Sequence, residues 1–351
     1  MFKFHPLTIK ELKKETSDAV SILFDIPADL KEEFKFIAGQ YINIKKSIAG
    51  SALRRAYSIC SASNSGELRI AVKAVENGTF SAFATTILKE GDVLEVSKPL
   101  GKFMLETDST NAKKYLGVAA GSGITPIMAM IKTVLTEEPN STFTLIYGNK
   151  TEADTIFYDE INKLQNTYPT QFNVQYVFSR EQKNDALFGR VDKGNLNFIL
   201  KNKFKDRSFD AAFLCGPEMM IDILKETLAE NGLDKNNIHF ELFTPPLVPE
   251  NEIHIAFEGT CEITVLVDDE ETTFEMDSKL TILTAALKEG LDAPYSCQGG
   301  ICSSCLAKVT DGKALMEKNS ILSDAEIKDG FILTCQAHPI TQKITIDYDN
   351  V

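Results

Sequence analysis

The sequence of 351 residues contains no apolar run that approaches the roughly 18 residues needed for a membrane-spanning helix. It shows no secretory leader, because Met1–Pro6 continues directly into polar sequence. It also lacks an excess of basic charge, since its formal net charge is −13. These absences argue against membrane insertion, secretion and nucleic-acid binding. We therefore expect a cytoplasmic protein whose seven cysteines are thiols or metal ligands.

The acidic charge is concentrated in the last third of the chain. From Glu250 to Val351 there are 19 Asp and Glu against 7 Lys and no Arg, a balance of −12. The remainder holds 31 acids against 30 bases, a balance of −1. We expect this third, with its acidic stretch Asp268–Glu271, to dock electrostatically on a basic partner. The alternative is that the charge only keeps a small domain soluble and that the stretch is a hairpin turn.

Four cysteines have the spacing of a [2Fe-2S] site. Cys297, Cys302 and Cys305 follow the pattern C-x4-C-x2-C, and Cys335 comes after a further 29 residues. Two irons need four thiolates in one small volume, and this is the plant-type ferredoxin spacing. Gly299–Gly300 allow the backbone to approach the sulfurs and to take positive φ. A structural zinc site usually has two C-x2-C hooks, and disulfides are unexpected without a secretory signal.

The hydrophobic pattern divides the chain into three domains and a linker. Residues 1–107 show short alternating strands, which predict an antiparallel β-barrel with one short helix near 81–90. Residues 108–245 alternate strands and helices, which predicts a doubly wound α/β domain. Residues 246–252 form a proline-rich linker. Residues 253–351 predict a small mixed sheet with one helix, an α+β domain.

Three stretches of the first two domains have residue types that bind phosphates. Arg55–Ser58 ends a strand and Gly78–Ser81 opens the short helix; a guanidinium and a helix N-terminus both suit a phosphate. An ordinary barrel strand with exposed arginines explains the first stretch equally well. Gly121–Pro126 is similar to the G-x-G-x-x-G turn, but Pro126 replaces the third glycine. The second strand ends in Tyr147–Lys150 without an acid, so the ribose recognition of NAD folds is missing.

Taken in order, these motifs resemble the ferredoxin–NADP reductase superfamily with a C-terminal plant-type ferredoxin domain. Pro99–Gly101, Cys215–Pro217 and Glu241 stand where that superfamily has its further motifs. Within the superfamily the chain is most similar to the reductase subunits of phenylacetyl-CoA epoxidases and kindred oxygenases. The resemblance implies a multidomain fold: a flavin-binding β-barrel, an NAD(P)-binding α/β domain and a β-grasp ferredoxin domain.

The resemblance also implies a role for each matching residue. Arg55 would hold a flavin phosphate, Tyr57 would pack on the isoalloxazine, and Ser58 would lie near flavin N5. Cys215 and Glu241 would complete the catalytic group beside the reacting rings. The whole set expected to bind flavin or nicotinamide is Arg55, Ala56, Tyr57, Ser58, Val72, Lys73, Gly78, Thr79, Phe80, Ser81, Gly121, Ser122, Gly123, Thr125, Pro126, Ser179, Arg180, Cys215, Gly216, Pro217 and Phe243.

Ser179 and Arg180 imply a preference for NADPH over NADH, because an arginine forms charge-assisted bonds with the 2′-phosphate. A surface arginine is the alternative. The implied activity is that of an NAD(P)H-dependent oxidoreductase with FAD, or FMN, and a [2Fe-2S] cluster, which delivers electrons to a terminal oxygenase. A stand-alone NAD(P)H:acceptor reductase for quinone or ferric iron and a redox sensor remain alternatives.

Overall fold

The computed structural model describes residues 3–48, 51–76, 78–205, 208–243, 259–295 and 297–351, without the side chains of residues 51 and 52. The chain forms two compact units, one of His5–Thr244 and one of Pro245–Val351 with Met1–Phe4. The predicted linker 246–252 lies outside the described residues, and the predicted domain limits stay predictions. Within the described ranges, no helix is long and apolar enough to cross a membrane.

The first part of the larger unit is the predicted antiparallel barrel. Its elements are β1 (Phe4–Thr16), β2 (Ala19–Asp25), β3 (Tyr41–Ile48), β4 (Ser51–Ser58), β5 (Leu68–Lys73), α1 (Thr79–Thr86) and β6 (Val93–Ser97). The strands form one sheet in the order β4-β3-β6-β1-β2-β5. A bridge between Ile59, directly after the edge strand β4, and Ile70 within the other edge strand, β5, closes the sheet.

The barrel interior is filled by alternate side chains of its strands, because successive residues of a strand point to opposite faces. The buried cluster includes Leu7, Ile9, Ile22, Phe24, Ile42, Ile44, Leu68, Ile70 and Val72. Phe80 and Ala84 of α1 join this core, so the helix packs against the barrel. The strand that carries the predicted flavin residues is thereby held between β3 and β5.

The second part of the larger unit is the predicted α/β domain. Its elements are β7 (Lys114–Ala120), α2 (Ile124–Glu137), β8 (Thr142–Asn149), α3 (Tyr158–Thr167), β9 (Phe172–Phe178), β10 (Leu187–Phe188), α4 (Lys193–Phe198, continued by a π turn at Ile199–Lys203), β11 (Ala211–Gly216), α5 (Glu218–Glu230) and β12 (Ile238–Leu242). The strands run parallel in the order β10-β9-β8-β7-β11-β12.

The strand order reverses between β7 and β11. From β7 the chain moves outward to β8, β9 and β10, and then returns to the other side of β7 as β11 and β12. In open parallel sheets, ligands bind at the carboxyl ends of the strands where the order reverses. We therefore expect a ligand at the residues that follow Ala120 and Leu214, which are the glycine turn and Cys215–Pro217.

The smaller unit is an α+β domain, as predicted. Its elements are β13 (Thr260–Val267), β14 (Glu270–Asp277), α6 (Ile282–Lys288), β15 (Leu306–Asp311), β16 (Ala314–Met316), α7 (Asp324–Lys328), β17 (Phe331–Leu333), β18 (Ala337–Pro339) and β19 (Lys343–Asp347). Five strands form a mixed sheet in the order β14-β13-β19-β15-β17, and β16 pairs with β18. One helix was predicted; the described part of this unit also contains the short helix α7.

Candidate functional site

The four predicted cluster ligands lie together. Cys297, Cys302 and Cys305 belong to the segment between α6 and β15, which we call the cysteine loop (297–305). Cys335 lies between β17 and β18. The thiol of Cys297 hydrogen-bonds with those of Cys302 and Cys335, and Cys335 also hydrogen-bonds with Cys305. All four are free thiols, and their sulfurs face one another.

The sulfurs influence one another's ionisation. Hydrogen bonds from Cys302 and Cys335, with those from two loop amides, hold the pKa of Cys297 far below its ordinary value. Hydrogen bonding to Cys297 raises the pKa of Cys302 and of Cys335. Full deprotonation of such a set requires compensating positive charge, which iron supplies. Among the described residues, no three His, Cys, Asp or Glu side chains surround one point as ligands of a single ion, whereas each iron of a two-iron cluster takes only two of four thiolates.

The backbone of the cysteine loop has two residues in the left-handed region. Gly300 has φ +70°, whereas the second is Gln298, at φ +51°. Gly299 does not use the positive φ that glycine allows, and its N–H donates to Cys297 Sγ at 3.4 Å. A Cβ at Gly300 would lie 2.9 Å from the Lys318 carbonyl oxygen, so this position requires glycine.

The predicted flavin strand presents an aromatic ring beside a guanidinium. Arg55 and Tyr57 point to one side of β4, because one residue separates them. The Tyr57 ring packs on Phe80 of α1 with centroids 5.5 Å apart, and burial raises the pKa of its phenol. Arg55 is half-buried and donates Nη1 to the Arg54 carbonyl at 2.7 Å. Val72–Lys73 end β5, which bridges to the residue directly after β4.

Helix α1 begins at Thr79, with Gly78 as its N-cap, two residues before the predicted start. Ser81 accounts for the earlier start. Its hydroxyl accepts the Val75 N–H at 3.2 Å and donates to the Gly78 carbonyl at 3.3 Å. A Cβ at Gly78 would lie 2.3 Å from Ser81 Oγ. Because glycine brings no capping side chain to this helix start, the first turn is suited to an external anion such as a phosphate.

The glycine turn lies against the end of β11. Gly121–Gly123 form a 3₁₀ turn between β7 and α2, with Gly121 at φ +54°. A Cβ at Gly123 would lie 2.3 Å from the Cys215 carbonyl oxygen. Thr125 and Pro126 lie in the first turn of α2, and the Thr125 hydroxyl donates to the Ser122 carbonyl at 3.1 Å. The fold therefore brings together both stretches expected to receive the nicotinamide dinucleotide.

The barrel and the α/β domain meet at Ser58. The Ser58 hydroxyl donates to Glu241 Oε2 at 3.3 Å, and Glu241 is the register partner of Cys215 on the adjacent strand. Burial raises the pKa of Glu241 to about 8, while the Ser58 hydrogen bond lowers it. Burial, followed by the charge of Glu241, raises the pKa of the Cys215 thiol. The structure thus assembles the three predicted catalytic residues, and Phe243 packs against the neighbouring core.

Ser179 and Arg180 follow β9 at the carboxyl edge of the parallel sheet. The N–H of Ser179 donates to the Asn149 carbonyl at 3.0 Å, and that of Arg180 to the Lys150 carbonyl at 2.9 Å. Arg180 and Lys150 are exposed and follow neighbouring strands. Sequence reasoning did not include Lys150, although its position directly after β8 was a usable signal.

Sequence reasoning also missed the residues around Cys335. Thr334 hydrogen-bonds with the Cys305 carbonyl, and Gln336 with the Gln298 carbonyl. Their adjacency to the fourth cysteine was the only signal in the sequence, and it did not identify their partners.

Comparison with known families and proteins identifies three domains in this chain. Residues 6–105 match the oxidoreductase FAD-binding domain, residues 118–226 the oxidoreductase NAD-binding domain, and residues 265–339 the 2Fe-2S iron-sulfur cluster binding domain. The chain is 40% identical over 353 residues to a subunit of 1,2-phenylacetyl-CoA epoxidase from Escherichia coli (strain K12), covering 99% of both chains.

Two further comparisons extend over nearly the whole chain. The ferredoxin reductase component of 3-ketosteroid-9-alpha-monooxygenase from Rhodococcus rhodochrous is 30% identical over 351 residues, which covers 97% of this chain and 96% of that protein. The structure of phthalate dioxygenase reductase, described as modular for electron transfer from pyridine nucleotides to [2Fe-2S], superposes with a TM-score of 0.61 at 24% identity. The superposition covers 98% of each chain and shows that the two proteins share the three-part fold.

Proposed function

Because this chain belongs to the family of flavin and [2Fe-2S] oxygenase reductases that includes its relative from the 1,2-phenylacetyl-CoA epoxidase system, we propose that it is the reductase component of an oxygenase. It takes electrons from NAD(P)H and delivers them through FAD and a [2Fe-2S] cluster to the oxygenase. The flavin is required because a nicotinamide gives two electrons together, whereas the cluster accepts one at a time.

The observation that carries the proposal is the meeting of Ser58, Glu241 and Cys215. The hydroxyl at the end of the flavin strand contacts Glu241 at 3.3 Å, and Glu241 adjoins the cysteine at the reversal point of the dinucleotide sheet. A flavin bound along β4 and a nicotinamide bound at the carboxyl end of β11 would therefore have their rings at the same place. Hydride transfer requires that proximity.

The surrounding residues have binding and positioning roles. Arg55 and the first turn of α1 hold the flavin phosphates, and Tyr57 supplies a flat apolar surface for the ring system. Gly121 lets the chain turn where the pyrophosphate approaches. Glu241 keeps a proton at its carboxyl at neutral pH, and its Oε2 accepts the hydrogen bond of the Ser58 hydroxyl. No residue has to act as a strong acid or base.

The oxygenase served by this reductase acts on an acyl-CoA thioester. The support is the 40% identity to the phenylacetyl-CoA epoxidase protein over the full length, compared with 30% for the Rhodococcus steroid system and 29% for a betaine system. The test is reconstitution with an epoxidase-type oxygenase, NADPH and phenylacetyl-CoA. Turnover that depends on this chain supports the assignment. Rapid reduction of quinone or ferric iron without any coupling to the oxygenase would favour the stand-alone reductase.

The nucleotide is NADPH. Arg180 and Lys150 place two exposed cations after adjacent strands, at the edge of the sheet where the adenosine ribose lies in this type of fold. A 2′-phosphate would gain charge-assisted hydrogen bonds there. Replacement of Arg180 by Gln should lower kcat/KM for NADPH by roughly tenfold or more. The value for NADH should stay unchanged, which provides the internal control, and a wild-type preference for NADH contradicts this assignment.

The oxygenase docks on the acidic end of the smaller unit. β19 pairs with both β13 and β15, and Asp347 is opposite Leu266 on one side and Lys308 on the other. The turn after β13 and Cys305 before β15 therefore lie at the same edge of the sheet, about 10 Å apart by strand spacing. This placement supports a role for the acidic turn in attracting a basic partner toward the cluster.

The acidic turn is also a structured β-hairpin turn. Asp268 and Asp269 have φ of +58° and +61°, and their N–H groups donate to the Asp349 carboxylate at 3.0 and 2.9 Å. This third carboxylate adds to the negative charge of the turn.

The seven free thiols support a reducing, cytoplasmic location.

A further inference from the structure

Cys335 reaches the cluster site from a different element than the other three cysteines. It follows the cysteine loop by 29 residues and lies between β17 and β18. Its sulfur must be held in register with the loop if four thiolates are to share one two-iron core. The residues on either side of Cys335 make the contacts that can do this.

Thr334 attaches Cys335 to the C-terminal end of the cysteine loop. Its hydroxyl donates to the Cys305 carbonyl oxygen at 3.0 Å, and its backbone N–H donates to the same oxygen at 3.1 Å. Thr334 is fully buried and Cys305 almost so. Buried hydrogen bonds of this kind are costly to leave unmade, because no water replaces the lost partner.

Tyr348, directly after the last strand β19, supports Thr334. Its hydroxyl donates to Thr334 Oγ1 at 2.9 Å, and its backbone N–H donates to the Leu266 carbonyl at 2.9 Å. Tyr348 is also buried. Hydroxyl groups arranged in series polarise one another, so the Tyr348 hydroxyl strengthens the bond that Thr334 makes to Cys305. Tyr348 thus contributes to the site by holding the Thr334 side chain in place.

Gln336 attaches Cys335 to the other end of the loop. Its Nε2 donates to the Gln298 carbonyl at 3.1 Å and to the Cys335 carbonyl at 3.0 Å. Gln298 is one of the two left-handed residues of the loop, a conformation that a non-glycine residue keeps only when its surroundings hold it. The amide of Gln336 provides such a contact next to Cys297.

We propose that Thr334, Gln336 and Tyr348 form a clamp, here called the cluster clamp, that fixes Cys335 on the cysteine loop and tunes the [2Fe-2S] cluster. The inference rests on the proposed function, because it requires the cluster. The clamp has two effects. It slows release of iron by preventing Cys335 from separating from Cys305. It also directs the hydroxyl and N–H of Thr334 and the Nε2–H of Gln336 toward the loop, which favours the reduced cluster.

The test uses variants of the full-length holoprotein. Thr334→Val removes the hydroxyl at nearly constant volume, Thr334→Ser retains it, and Tyr348→Phe deletes one oxygen atom. The readouts are the cluster midpoint potential, followed by EPR, and the rate of iron loss to a chelator. We expect Thr334→Val and Tyr348→Phe to lower the potential, by up to about tenfold in the reduction equilibrium, or ~59 mV for one electron. Thr334→Ser should restore most of the wild-type value.

The double variant provides the sharper result. In the cluster clamp Tyr348 acts through Thr334, so Thr334→Val with Tyr348→Phe should shift the potential no further than Thr334→Val alone. Gln336→Leu, at the other end of the loop, should add to either shift. Thr264→Val is the matched control, since its hydroxyl pairs with Thr273 on the neighbouring strand β14, and it should leave the potential unchanged.

Several outcomes would overturn the clamp while leaving the proposed function intact. These are wild-type potential and iron retention in Thr334→Val, strictly additive shifts for Thr334→Val and Tyr348→Phe, or an equal shift in Thr264→Val. If Thr334→Val does not retain its cluster, Tyr348→Phe still tests the inference, and a wild-type potential there contradicts it. A wild-type protein that never binds a [2Fe-2S] cluster would overturn both the clamp and the proposed function.

Discussion

Glu241 is the ionisable residue whose environment has the clearest functional consequence. Burial raises its pKa to about 8, so the carboxyl holds a proton at neutral pH and loses it as the pH rises through about 8. We expect the rate of flavin reduction by NADPH to fall over that pH range, because an ionised Glu241 places negative charge beside the site of hydride arrival. Stopped-flow absorbance of the flavin measures the rate.

The matched variant is Glu241→Gln, which keeps the shape of the side chain and cannot ionise. The rate of flavin reduction in this variant should not change as the pH rises through about 8. The same raised pKa predicts that wild-type stability, relative to this variant, decreases between about pH 4.5 and pH 8, since the folded state binds the extra proton there. A wild-type profile that is flat through pH 8, or one that the variant reproduces, would show that Glu241 does not titrate as described.

Arg55 is the residue on which flavin affinity should depend most. It projects from β4 beside Tyr57. Phe80, in the first turn of α1, packs on the Tyr57 ring. Replacement of Arg55 by Gln removes charge-assisted bonds of about 1.5–3 kcal/mol and should weaken flavin binding by roughly ten- to a hundredfold. Fluorescence of the released flavin measures the dissociation constant. Arg190→Gln, an exposed arginine of the second domain, is the control.

At the scale of elements, the crossing of the glycine turn with β11 predicts different costs for two nearby glycines. A Cβ at Gly123 would overlap the Cys215 carbonyl at 2.3 Å, whereas a Cβ at Gly121 would meet no atom within 4 Å. Gly123→Ala should therefore cost about 2–4 kcal/mol of unfolding free energy. Gly121→Ala should cost about 1–2 kcal/mol for its positive φ.

Denaturant unfolding of both glycine variants measures these differences. The Gly123→Ala variant should also bind NADPH more weakly, because separation of the turn from β11 displaces Cys215–Pro217. Equal stability losses in the two variants would mean that the turn and β11 are not in the close contact described here.

Local patterns in the sequence were sufficient for the fold classes and for the grouping of the four cysteines. Alternation along strands such as β3 and β5 and the alternating strands and helices of residues 108–245 gave the correct fold classes, because these patterns repeat over short distances. The C-x4-C-x2-C spacing, together with Cys335, predicted four cysteines that the structure brings together. Helix ends were less accurate, since the start of α1 depends on how Ser81 folds back on Gly78.

Contacts between distant residues were not predictable from such patterns. Ser58 and Glu241 are 183 positions apart and meet only because the barrel packs on the α/β domain. In the sequence, Thr334 is only the neighbour of a predicted ligand and Tyr348 only the neighbour of a strand end. Their hydrogen bond depends on the order of the strands in the sheet. The resemblance to reductases supplied Glu241 in advance, whereas only the adjacency of Thr334 and Gln336 to Cys335 pointed toward the cluster clamp.

At the scale of the whole molecule, the uneven charge predicts a salt-sensitive encounter with the oxygenase. The last 102 residues carry nearly all of the net charge, and the turn Asp268–Glu271 lies at the cluster edge of its sheet. Electron transfer to the oxygenase should slow by roughly tenfold between about 0.01 M and about 0.15 M ionic strength. Rapid mixing of the reduced protein with its oxygenase measures the rate.

A variant with three charges removed from the turn tests the origin of this effect. Asp268→Asn with Glu270→Gln and Glu271→Gln keeps a residue that tolerates positive φ at the first position. It should lose most of the salt dependence and still reduce ferricyanide at the wild-type rate. An unchanged salt dependence would assign the attraction to other acids of this unit or to none.

The most direct test of the central claim is an anaerobic titration of the purified protein with NADPH, followed by visible absorbance and EPR. The account predicts that about three electrons enter each chain, two at the flavin and one at the cluster, and that a [2Fe-2S] EPR signal appears as the flavin bleaches. In Cys335→Ser the flavin should still bleach while the cluster signal is lost. Wild-type protein that accepts only two electrons and gives no cluster signal would contradict the account.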